Sequence, residues 1–145
     1  MQYKLYHKDI YLPEYLISEI KMEERILTKY PIIFSSHVQE HFKTIYCRYS
    51  DMEQRIIDII QELTKVNVIP FELETKKDYK IFKDYREHIN KIVIRVPFLE
   101  TVDISIVIMP RKSYDNIKCT FVKTVWLNSA KDNHGTLDVT RYQTN

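Results

Sequence analysis

Over most of the stretch from Lys91 to Leu127 an apolar residue recurs at every second position, a pattern that reads plainly as β. Ile92, Ile94, Val96 and Phe98 alternate with Lys91, Val93, Arg95 and Pro97, and Val102, Ile104, Ile106 and Ile108 with Asp103, Ser105 and Val107. Neighbouring side chains on a strand point to opposite faces, so a period of two gives each strand one apolar side. Leu99-Glu100-Thr101 joins the first two strands as a hairpin connection, Pro110 to Asn116 forms the next turn, and Ile117 to Leu127 makes a long last strand. An earlier run, Val68-Ile69-Pro70-Phe71-Glu72-Leu73, reads as a strand weakened by its proline, which cannot donate to a ladder. The four together predict an antiparallel meander.

The segments before it carry helix signals. Ser50-Asp51-Met52-Glu53 has the form of a capping box, and Ile56, Ile59, Ile60 and Leu63 follow at i, i+3, i+4 and i+7, the stripe of a helix laid on a core. Leu12-Pro13-Glu14 opens another helix, with Tyr15, Leu16, Ile17 and Ile20 in its first turns. Tyr30-Pro31-Ile32-Ile33-Phe34 is a short apolar run of the kind that makes a buried strand. After it, Ser35-Ser36 offer cap oxygens, Gln39 completes a box with Ser36, and a helix extends to about Arg48. Residues 76–88 are a polar, tyrosine-rich connection. The expected fold is α+β: N-terminal helices packed on one antiparallel four-stranded β-meander, in two layers. One domain spans residues 1–145, with a helical segment over 1–30, a core over 31–127 and a loop or tail over 128–145.

Composition narrows the functional classes. The chain has a single glycine, Gly135, whereas phosphate-cradling loops and dinucleotide fingerprints need several so that the backbone can approach phosphate; nucleotide cofactors held that way are excluded. No secretory leader or membrane span is legible, so the expected location is the cytoplasm, without membrane contact. Cys47 and Cys119 are far apart and lack metal-ribbon spacing, which points to packing rather than a disulfide. The formal charge of +2 is uneven: from Arg111 onward six basic side chains face three acidic ones, a balance compatible with a polyanion partner. Abundant Ile, Lys, Asn and Tyr suggest an AT-rich coding sequence, as in a low-GC bacterium or its phage.

Several stretches carry candidate chemistry. His37-Val38-Gln39-Glu40-His41 matches H-x-x-E-H, in which two histidines one helical turn apart bind zinc and the glutamate activates water. The same histidines serve equally as an acid and base without metal, because imidazole exchanges protons near neutral pH, and Arg48, seven residues past His41, would share their helical face as an anion-stabilising cation. They also fit a plain capped helix with a cation at its end. In the last strand, alternation puts Lys123 among Phe121, Val125 and Leu127, so a bulge re-aims it, it points into a cleft, or that face is open. Opposite it, Thr120, Thr124 and Trp126 form a hydroxyl and indole row suited to a ribose or base, or to an ordinary half-buried sheet surface. The tail holds His134, Gly135, Arg141 and Tyr142.

The order of these features, Ser36, His37, His41 and Arg48 around one helix, then a capped amphipathic helix, then a meander whose last strand reads Lys123-Thr124-Val125-Trp126, resembles the RelE/barnase-like ribonuclease superfamily in its phage or mobile-element branch. The resemblance covers residues 32 to 128. It implies a toxin-like, metal-independent endoribonuclease or RNA-binding domain with no cofactor. His37 or His41 would deprotonate the ribose 2′-OH, Arg48 and Lys123 would stabilise the developing charge, Thr124 would hold a phosphate oxygen, and His134 would protonate the leaving oxygen. Arg111, Lys112, Trp126, Arg141 and Tyr142 would bind the substrate RNA. Two alternatives stay open: a non-catalytic phage-encoded inhibitor or regulator that binds a host or phage protein, and a zinc hydrolase built on H-x-x-E-H.

Overall fold

The alternation of Lys91 to Leu127 is realised as three long strands, β4 (His88–Leu99), β5 (Val102–Tyr114) and β6 (Ile117–Ser129). They belong to a computed structural model that describes residues 2–7, 14–27, 29–49, 51–63, 71–77, 87–132 and 136–137. Before them come β1 (Gln2–His7), α1 (Glu14–Ile26), β2 (Ile32–Phe34), α2 (Ser36–Thr44), α3 (Met52–Leu63) and β3 (Glu72–Lys77). The class is α+β, as expected, but the sheet is not a four-stranded meander. It is a six-stranded mixed sheet in the order β1-β3-β4-β5-β6-β2, in which β1 pairs antiparallel with β3 and β2 parallel with β6. Residues 1–30 are therefore not purely helical, and strands are interleaved with the helices. Gln2-Tyr3-Lys4-Leu5-Tyr6 shows no clean apolar period; its strand conformation comes from the ladder with β3, a contact invisible to local pattern.

Cross-strand partners share a face, and the row Tyr6, Leu73, Ile92, Ile108 fixes which face is apolar. Leu16 and Ile20 of α1 pack on Tyr6, Leu73 and Ile92. Val38 of α2 and Met52, Ile56 and Ile60 of α3 pack on Ile94, Ile104, Ile106, Ile108, Val122 and Val125. All three helices thus cover the same face. The stripe read for α3 holds at Ile56 and Ile60, both fully buried. Of its capping box, Ser50 lies outside the described residues, and Asp51 instead adopts φ 55.

Two further boundaries differ from the sequence reading. β5 runs on to Tyr114, because the turn is only Asp115–Asn116, with φ 51 and 64. Both central residues at positive φ match the right-handed twist of the flanking strands, and Asp and Asn tolerate that region best after glycine. At its other end α2 stops at Thr44 and not near Arg48. The amides of both Ile45 and Tyr46 converge on the His41 carbonyl, at 3.0 and 2.7 Å, and the chain leaves the helix so that Tyr46 can be buried. Cys119 is buried, in line with a packing role, whereas Cys47 is exposed; both are free thiols. Among the described residues no helix is long and apolar enough to cross a membrane.

Candidate functional site

The first helical turn of α2 is tied to β6 by one hydroxyl. Ser35 is the N-cap, with its Oγ accepting from the Val38 amide at 3.1 Å and donating to the Lys123 carbonyl at 2.8 Å. Gln39 does not close a capping box; its Nε2 donates to the Phe34 carbonyl at 2.8 Å. The end of α2 is tied to the same strand by Tyr46, whose hydroxyl donates to the Val125 carbonyl at 3.0 Å. β2 pairs only with Thr120 to Val122. Beyond that point the edge of β6 would expose its backbone, and the Ser35 and Tyr46 hydroxyls occupy it in place of a strand, one of the ways proteins blunt an open edge. Burial pushes the pKa of the Tyr46 hydroxyl above its ordinary value, while a hydrogen bond with the Leu127 backbone pulls it the other way.

The consequence is that α2 lies along the β6 edge with its histidines in a line. The rings of His37 and His41 are 4.1 Å apart between centroids, and His41 meets Tyr46 edge-on at 5.7 Å. His37 is exposed and His41 half-buried. The Nδ1 of His41 is enclosed and has no hydrogen-bond partner among the described residues. In the neutral ring that nitrogen carries the lone pair, which costs less to bury than an unsatisfied N–H, and Nε2 carries the proton.

Lys123 stands at this edge for the first of the three reasons the sequence allowed. Thr124 pairs with Val107 and Val122 with Ile108, so Lys123 is the extra residue of a β-bulge, and it is exposed. A bulge shifts alternation by one position, and this corrects the reading of the strand on both sides. Phe121 no longer shares a face with Val125 and Leu127. The hydroxyl and indole row is broken as well: Thr120 is buried on the helix side, donating to the Leu27 carbonyl at 2.6 Å, while Thr124 and Trp126 lie on the face away from the helices.

The other expected residues are dispersed. Because α2 ends at Thr44, Arg48 does not share a helical face with His41; its guanidinium lies over the Tyr49 ring at 5.0 Å. Arg111 sits with φ 53 where the β5–β6 register shifts, and the Lys112 ammonium lies 5.4 Å from the centre of the Phe121 ring. Trp126 is 38% exposed, across from Ser105. His134, Arg141 and Tyr142 lie outside the described residues. For the H-x-x-E-H reading, no three His, Cys, Asp or Glu side chains among the described residues are grouped so as to hold a metal.

Sequence reasoning missed a row of buried charge on the face away from the helices. Glu72 and Glu74, alternating with core residue Leu73, are 1% and 0% exposed, and Lys91 is 5% exposed. Lys91 pairs across the ladder with Glu74, placing its Nζ 3.6 Å from Oε1, and Asn90 Nδ2 donates to the same oxygen. A register shift after Glu74 leaves Asn90 as the extra residue of β4, so two consecutive donors reach one carboxylate. Glu72 accepts the backbone amides of Thr136 and Leu137, the latter at 3.3 Å, so this part of the tail is draped on the sheet. On the helix side a third buried carboxylate, Glu87, accepts from Tyr6 at 2.6 Å and Thr75 at 3.0 Å. Burial, with Glu87 second, raises the pKa of Tyr6 beyond the usual phenol range. The available signal was two glutamates on either side of the apolar Leu73, at alternate positions of β3.

No protein-family model, curated protein or solved structure matches this chain.

Proposed function

We propose that the chain is a metal-independent RNA-binding and RNA-cleaving domain whose proton-transfer group is the His37–His41 pair at the α2–β6 edge. The observation that carries the reading is the contact of the two imidazoles, 4.1 Å between centroids, on a helix capped by the hydroxyl that also holds the Lys123 bulge. An exposed imidazole beside a half-buried one, with an ammonium on the adjoining strand, is a set of groups suited to phosphodiester transfer.

In this mechanism His37, the accessible ring, takes the proton of the ribose 2′-OH as the 2′ oxygen attacks phosphorus. The bond from phosphorus to the 5′ oxygen breaks, and that oxygen takes a proton from solvent. The products are a 2′,3′-cyclic phosphate and a 5′-OH. His41 presents its Nε2–H to a phosphate oxygen, and Lys123 neutralises charge that builds on the phosphate in the transition state. Thr124, Trp126 and Arg48 take no part, since the first two lie on the other face and the third stacks on Tyr49.

A labelled RNA of mixed sequence, incubated in excess EDTA with the protein and with its His37→Ala, His41→Ala and Lys123→Ala variants, tests this. Cleavage that survives EDTA, leaves cyclic-phosphate ends and falls by roughly 100-fold or more in His37→Ala is the expected result, the usual contribution of a general base. A folded protein that cleaves nothing sinks it. The second reading, a non-catalytic module that binds a protein, is favoured by that dispersal of the expected residues and by the exposed apolar side chain of Ile45 at the end of α2.

A further inference from the structure

The turn between α2 and α3 opens a groove of about 540 Å³ that takes no part in the proposed phosphoryl chemistry. Three aromatic side chains, Phe42, Tyr46 and Tyr49, line it together with the carboxylates Asp51 and Glu53 and the thiol of Cys47. We infer that this groove takes a cationic side chain, an arginine or a lysine carried by a peptide segment of a partner protein.

Aromatic faces attract cations through the ring quadrupole, and a nearby carboxylate adds a charge-assisted hydrogen bond. The protein uses the same chemistry on itself at this turn: the Arg48 guanidinium lies 5.0 Å over Tyr49, and that of Arg55 lies 3.8 Å over Phe98, whose ring meets Tyr49 edge-on. Arg48 thus takes the ring of one lining residue, Tyr49, whereas Arg55 is engaged on Phe98 outside the lining, which itself contributes acidic but no basic side chains. Phosphate is repelled by such a lining, so an RNA strand at the histidine edge does not compete for it. Ile45, 51% exposed just before Tyr46, provides an apolar flank for a residue next to the bound cation. The site is independent of the RNA reading and stands or falls without it.

Cys47 supplies the reporter. It is one of two cysteines and the other, Cys119, is buried, so a small thiol-reactive bimane labels the groove alone. The labelled 145-residue chain is titrated with acetyl-leucyl-arginyl-leucinamide and with the same peptide carrying citrulline, which keeps the shape of arginine and removes its charge. Unlabelled protein is titrated calorimetrically with both peptides so that the dye cannot be the cause. The expected result is saturable binding of the arginine peptide, at least tenfold tighter than the citrulline peptide, and a loss of at least tenfold in a Glu53→Lys variant with an unchanged circular dichroism spectrum. Equal affinity for the two peptides, no binding of either at millimolar concentration, or full binding by Glu53→Lys overturns the inference.

Discussion

Replacing Tyr46 by Phe removes a single oxygen and asks whether a side chain can stand in for a β-strand. The ring would remain, keeping its contact with His41 and its place in the core. What disappears is the hydroxyl that donates to Val125 and is hydrogen-bonded to the Leu127 backbone. A buried polar group left without a partner costs about 1–3 kcal/mol. Two backbone groups are involved, at a sheet edge where water can reach one of them once the hydroxyl is gone. The expected loss is therefore about 1.5–3 kcal/mol, which for a chain of this size lowers Tm by roughly 4–10 °C. Urea unfolding followed by circular dichroism and by Trp126 fluorescence measures it, and sedimentation at increasing concentration reveals whether the uncovered edge recruits a second copy. A loss below about 0.5 kcal/mol with no self-association would refute the idea that Tyr46 closes this edge.

Three more predictions test other parts of the structure. Ser35→Ala removes a helix cap and the bond to the Lys123 carbonyl together, for an expected loss of about 1.5–3 kcal/mol in urea unfolding, against about 1 for a cap alone. Lys91→Met removes the ammonium paired with the buried Glu74 carboxylate and should cost about 3–5 kcal/mol, whereas Lys91→Met combined with Glu74→Leu recovers most of it; a double variant as unstable as the single one would contradict the pairing. Tyr6 and Tyr46 hold their phenolic protons more tightly in the folded than in the unfolded chain, so the unfolded state loses protons first as pH rises past about 10. Their contribution to stability is complete below that pH and fades as pH climbs through the folded values. Tyrosinate absorbance should show a late component, from these two side chains, that appears together with unfolding, and a single uniform titration of a still-folded protein would contradict it.

What the sequence determined by itself was everything that depends on a local period. The strands from Ile92 to Leu127, the Leu99 to Thr101 hairpin and the apolar stripe of α3 follow from residues a few positions apart, whose side chains must reach one face. The adjacency of His37 and His41 is of the same kind, since a four-residue spacing on any helix brings two rings together. What only the tertiary structure decided depends on partners far along the chain. β1 is a strand because β3 lies beside it, and α2 ends early because Tyr46 finds Val125, 79 positions away. One bulge at Lys123 reverses the alternation of a whole strand, separating Thr120 from Thr124, and period alone does not reveal where an extra residue falls out of register. The buried row of Glu72, Glu74 and Lys91 was written in the alternation of β3 and β4, but whether a charged face meets water or protein is set by what covers it, and that is a property of the folded chain.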